Sequence, residues 1–143
     1  IAGMRRVGRD LEDEEAVVIF PEGTRYTPEK RLATIKRMAE KGQTYLAEKT
    51  KALTHVLPPR LGGSLALLEE NTRACAVFAA HVGFEQAARA LHVLNGSLVR
   101  RTIRVKLWKI PFDQIPTTRE LRIEWLYEQW QRIDEWVAAM ALN

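Results

Sequence analysis

Cysteine is almost absent from the chain, which has only Cys75 among its 143 residues. An intrachain disulfide is therefore excluded. Cys75 stands between Ala74 and Ala76, and this apolar setting predicts a buried structural thiol. The chain also lacks any run of about 18 to 20 apolar residues, the length that spans a bilayer, so no transmembrane segment is expected. Its charged N-terminus does not resemble a signal peptide.

The chain also lacks a strong excess of charge of one sign, because it has 22 basic and 18 acidic residues and a net charge of only +4. This excess suits phosphates, CoA, a membrane surface or nucleic acid without choosing among them. Hydrophobic residues make up 46% of the chain, enough for a core. The composition predicts a single domain over 1–143, with a lead-in segment at 1–15, a core at 16–116 and a C-terminal helix at 117–143.

The hydrophobic pattern changes between short strand-like runs and longer helical periods. Strands are predicted at 16–20, 54–57, 74–82 and 98–110, and helices at 28–48, 62–70 and 118–140. Thr27 and Pro28 mark the start of the first long helix. The run 16–20 predicts a strand buried on both faces, as in a parallel sheet. The order predicts an α/β fold: a partial, mostly parallel sheet flanked by helices, with a long C-terminal helix.

The two C-terminal elements have the clearest periodicity. The run 98–110 alternates apolar and polar residues, which predicts a half-exposed strand near a sheet edge. The last helix has an apolar stripe made of Ile123, Leu126, Tyr127, Trp130, Ile133 and Val137. Its tryptophans fit packing on a sheet or contact with a membrane interface, and packing is favoured.

The most informative segment is Phe20-Pro21-Glu22-Gly23-Thr24-Arg25, which follows the first predicted strand. Ligands bind at the carboxyl ends of strands in open α/β sheets. Gly23 permits close approach of the backbone, Thr24 adds a hydroxyl, and Arg25 offers a fork of donors for a phosphate. These residues fit an anion site. They fit a tight loop with a surface Glu22–Arg25 ion pair equally well.

The hexapeptide at 20–25, directly after a Val-Val-Ile run, resembles the signature of the glycerol-3-phosphate and lysophosphatidate (1-acylglycerol-3-phosphate) acyltransferase family. The block His55-Val56-Leu57-Pro58-Pro59-Arg60, followed by two glycines, is similar to a later block of that family. The segment 103–116 and the Trp-rich helix after it resemble the eukaryotic-type branch. The resemblance covers about residues 16 to 137.

This resemblance implies an enzyme of phospholipid biosynthesis that transfers a fatty acyl group from acyl-CoA to a hydroxyl of a lysophospholipid, such as lysophosphatidic acid, or of a glycerol phosphate. It implies that Glu22, Gly23, Thr24 and Arg25 bind the acceptor and that Phe20, Pro21 and Pro58 shape its pocket. Acyl-CoA is then a co-substrate, with no further cofactor and no metal. The full-length protein is expected at the cytosolic face of a membrane, without a nucleic-acid partner.

The chain departs from the family pattern in one important respect. The family has a His-x4-Asp motif upstream of this block, in which the histidine is the general base. Here the residues five positions after His55, His81 and His92 are Arg60, Gln86 and Ser97.

Truncation before Ile1 is the favoured explanation, and the base is then expected upstream of Ile1, so that this chain alone is inactive. A degenerate homologue, or a substitute base among the three histidines, is the alternative. A structural role is favoured for His55 and a core position for His81. The runner-up function is a non-catalytic module that binds anionic lipid or phosphate.

Overall fold

The computed structural model describes residues 2–71, 73–83 and 102–141. In chain order its elements are α1 (Ala2–Arg9), α2 (Pro28–Glu40), α3 (Thr44–Ala52), α4 (Leu61–Glu70), β1 (Ala76–Val82), β2 (Arg104–Ile110), a 3-10 turn (Phe112–Gln114) and α5 (Arg119–Ala141). The class is mixed α/β, and the long C-terminal helix is confirmed. The predicted strand positions 98–101 and His92 lie outside the described residues.

The sheet is antiparallel, so the prediction of a mostly parallel sheet is wrong. β1 pairs with β2 from Ala76 opposite Ile110 to Val82 opposite Arg104. The runs 16–20 and 54–57, which were expected to supply parallel strands, have no strand neighbour in the described part of the chain. Without a neighbour on either side, an extended run cannot form a ladder of backbone hydrogen bonds.

The first long helical period is divided in two at Gly42. Thr27 caps α2 as predicted, with its Oγ1 accepting from the Lys30 N–H at 3.3 Å, and Pro28 is the first helical residue. Gly42 has a φ of +71°, a left-handed conformation that terminates a helix and that glycine adopts without strain. The predicted helix 28–48 is therefore two helices, α2 and α3.

The core lies between α5, the sheet and α4. Buried side chains of α5 include Trp125, Leu126, Tyr127, Trp130 and Ile133. From β1, the ring of Phe78 stacks on Trp108 of β2 at a centroid distance of 5.5 Å and meets Trp125 edge-on at 5.4 Å. The favoured packing role for the tryptophans of this helix is thus confirmed. Within the described ranges, no helix has the length and apolar character needed to cross a membrane.

Helix α1 has no counterpart among the sequence predictions. It packs on α4, where Gly8 lies so close to Leu67 that an added Cβ would be 3.1 Å from the Leu67 carbonyl oxygen. The Arg5 guanidinium contacts Glu69 at 2.6 Å and Glu70 at 2.8 Å. These contacts join the start of the chain to the core.

Two predictions of burial are wrong. Cys75 is exposed, because it lies in the irregular segment before β1 and not in the strand itself. His81 lies on the outer face of β1, since strand alternation turns its neighbour Ala80 toward the core. On β2 the inner face carries Trp108 and Ile110, whereas the apolar Leu107 is 65% exposed.

Candidate functional site

Residues 20–25 form a tight turn on the surface. The Gly23 N–H donates to the Phe20 carbonyl at 2.9 Å, and Gly23 has a φ of +68°, which explains why glycine stands there. Phe20, expected to shape a pocket, is 82% exposed, whereas Pro58 is buried. Thr24 and Arg25 are also exposed.

The structure brings the turn together with the segment 57–60. The Glu22 carboxylate accepts a hydrogen bond from the Leu57 N–H at 3.0 Å, and the Pro21 carbonyl accepts one from the Arg60 N–H at 2.8 Å. Two parts of the chain that are separated by two helices are therefore in direct contact.

A second carboxylate, that of Asp134 on α5, accepts hydrogen bonds from the three residues that precede Leu57. Its Oδ1 accepts from the backbone N–H groups of Thr54 at 2.8 Å, His55 at 2.5 Å and Val56 at 3.0 Å. Asp134 is 5% exposed. Together with Glu22 it accepts from four consecutive backbone donors, which explains why Val56 and Leu57 can be buried without pairing as a strand. In the sequence, Asp134 could have been recognised as a buried acceptor because it is a charged residue on the otherwise apolar stripe of the last helix, next to Ile133.

Burial raises the pKa of the Glu22 carboxyl. The hydrogen bond from Leu57 opposes this effect, and the negative charge of Asp134 adds to it. The Trp130 indole N–H is buried and makes no hydrogen bond of normal geometry with the described residues, but it lies close enough to favour the charged form of Glu22. Glu22 is thus directed into the protein and away from the solvent-facing side of the turn.

Three cationic side chains surround that outer side. Lys30 Nζ contacts the Thr24 hydroxyl at 2.9 Å and the Arg25 carbonyl at 3.2 Å. The Arg60 guanidinium lies against Gly23. The Arg25 side chain is exposed, and no ion pair joins it to Glu22, so the surface Glu–Arg pair offered by the sequence is wrong. The turn is therefore a polar surface with positive charge around it.

The turn lies on an open surface. Two surface hollows of the described chain lie elsewhere, one of about 450 Å³ beside Val7 and Leu11 and one of about 70 Å³ beside Leu53 and Tyr127. A phosphate bound at Arg25 would thus remain in contact with water. The described residues contain no cluster of three His, Cys, Asp or Glu side chains arranged for a metal ion.

His55 is the histidine next to this site. Its Nδ1 lies 2.9 Å from the Thr54 hydroxyl and 3.6 Å from Asp134 Oδ2, and its side chain is 40% exposed. Since Asp134 is occupied by three backbone donors, these contacts favour the structural role expected for His55. His81 lies on the sheet face.

A scan against protein-family models, a search of curated proteins and a search of solved structures each found no match to this chain.

Proposed function

We propose that the chain is the acceptor-binding part of an acyltransferase that moves a fatty acyl group from acyl-CoA to a glycerolipid hydroxyl. The acceptor's phosphate binds at the turn formed by Glu22, Gly23, Thr24 and Arg25. In the full-length protein this site works at a membrane surface, where its acceptor resides.

One observation carries the proposal: Glu22 is turned inward to the Leu57 N–H, at 3.0 Å, while Thr24, Arg25 and Lys30 remain on the solvent side. The only carboxylate within the turn thus braces it and does not neutralise Arg25. A glycine, a hydroxyl and an unpaired guanidinium are the groups that a phosphate monoester needs.

The chemistry requires a base that takes the proton of the acceptor hydroxyl. The resulting oxygen nucleophile attacks the thioester carbonyl, an ester bond forms, and the CoA thiolate leaves and takes up a proton. The family places this base in a His-x4-Asp motif, which this chain does not contain. We assign the described residues to binding and assign the base to such a motif in the full-length protein.

The test is acyl transfer from radiolabelled acyl-CoA to lysophosphatidate by the full-length protein. Because the site is open to water, Arg25→Ala should raise the KM for lysophosphatidate about fivefold, the upper range for an exposed ion pair. The KM for acyl-CoA should not change. Lys36→Ala, which removes a basic residue paired with Glu40 on α2, is the control and should change neither constant. Equal changes in both constants for Arg25→Ala would contradict the assignment.

The missing His-x4-Asp motif supports a second candidate, a non-catalytic module that binds anionic lipid or phosphate with the same turn. That module would bind glycerol 3-phosphate and lose this affinity in Arg25→Ala, yet the full-length protein would show no acyl transfer. Binding without turnover therefore distinguishes the two functions.

A further inference from the structure

The Arg60 side chain reaches from the start of α4 to the outer side of the turn. A Cβ placed on Gly23 would lie 2.6 Å from Arg60 Cζ and 2.8 Å from both Nε and Nη1. A Cβ at position 23 would displace the guanidinium from this place, so glycine permits the contact. The backbone N–H of Arg60 also donates to Pro21 at 2.8 Å, so two separate parts of this residue contact the turn.

The positive charges here lack carboxylate partners, whereas some basic residues elsewhere in the described chain have them. Arg5, for example, contacts both Glu69 and Glu70. No carboxylate of the described residues pairs with Arg25 or Arg60. In addition, α4 begins at the residue after Arg60, so the positive end of the helix dipole lies beside it. The positive charge at the turn is therefore not neutralised by any carboxylate of the described residues.

We propose that Arg60 is a second phosphate-binding residue and that it selects acceptors with a phosphate monoester over those with a phosphodiester. This inference rests on the proposed function, because it places Arg60 at the same phosphate that Arg25 binds. A monoester carries a charge of about −1.5 to −2 near neutral pH, compared with about −1 for a diester. Two guanidinium groups, each able to make paired hydrogen bonds to phosphate oxygens, match the higher charge.

The test is direct binding, which does not depend on turnover. The 15N-labelled chain is titrated with glycerol 3-phosphate, a monoester, and with glycerophosphocholine, a diester, while the amide signals of Gly23 and Thr24 are followed by NMR. Arg60→Gln should weaken monoester binding about fivefold, as for an exposed ion pair, and should reduce the preference for the monoester. Arg60→Lys should restore part of that preference, and Lys36→Gln should behave as the wild type.

A pair of glycine variants tests the contact without removing a charge. Gly23→Ala and Gly42→Ala replace glycines of nearly equal φ, +68° and +71°, and therefore incur a similar backbone cost. Only the Cβ at position 23 meets the Arg60 guanidinium, because the space beside Gly42 is open. Gly23→Ala should weaken monoester binding, and Gly42→Ala should not.

The outcomes separate the inference from the function on which it rests. If Arg25→Gln weakens monoester binding but Arg60→Gln does not, the role of Arg60 is wrong and the proposed function stands. If the wild type binds neither probe, the proposed function fails and the inference fails with it. If Lys36→Gln weakens binding as much as Arg60→Gln, the effect is net charge alone, and the inference is overturned.

Discussion

Two short segments of this chain lead to the same sequence prediction but have valines in opposite environments. Residues 16–20 and 54–57 both predict strands, and neither forms one. In the first segment Val18 is 78% exposed, whereas in the second Val56 is 6% exposed. Hydrophobicity therefore does not explain the difference.

The difference lies in what happens to the backbone N–H groups. In 54–57, Asp134 and Glu22 accept hydrogen bonds from four consecutive backbone N–H groups, so Val56 and Leu57 can be buried without an unsatisfied donor. Residues 16–19 have no such acceptor in the described chain. Their backbone groups must be hydrated, which keeps the adjacent apolar side chains at the surface.

The largest expected effect comes from removing the acceptor that distinguishes the two segments. Asp134→Ala leaves three backbone donors without their partner, and one of them, that of Val56, is buried. The free energy of unfolding should fall by about 3 kcal/mol in chemical denaturation. Glu135→Ala, next to it but exposed, should change it by less than about 0.5 kcal/mol. Equal effects of the two variants would show that Asp134 does not support the buried segment.

The same substitution in each segment sharpens the comparison. Val56→Ala removes buried methyl groups from the core cluster and should lower the free energy of unfolding by about 2 kcal/mol. Val18→Ala removes the same atoms from the surface and should change it by less than about 0.5 kcal/mol. A large loss in Val18→Ala, measured by the same denaturation, would mean that 16–20 is buried in solution.

The smallest expected effect concerns the second acceptor, Glu22, and depends on pH. Because its pKa is raised by folding, the folded state holds its proton to higher pH than the unfolded state does. Wild-type stability should therefore fall as pH rises from the ordinary glutamate pKa through the raised value, and then level off.

Glu22→Gln keeps an oxygen that can accept from Leu57 and removes this titration. The stability of the variant relative to the wild type should rise with pH over this range, in thermal unfolding followed at several pH values. A gain that does not depend on pH would contradict the assignment of this titration to Glu22.

Much of the local structure could be predicted from the sequence. Thr27 and Pro28 gave the start of α2, and the apolar stripe through Trp130 gave the face of α5 that packs on the core. These features depend on neighbours in sequence or on one helical period, which a single sequence contains. The sequence also predicted a loop at Gly23, and the left-handed conformation of this residue explains why the turn has a glycine there.

The tertiary structure decided the rest, because it depends on which distant groups meet. The pairing of β1 with β2, the exposure of Cys75 and His81, and the inward direction of Glu22 follow from contacts across the fold. Arg60 joined Arg25 as a phosphate-binding candidate only when its guanidinium was found against Gly23. A sequence lists charges and apolar runs, but their effect depends on the partners and the solvent that each one meets after folding.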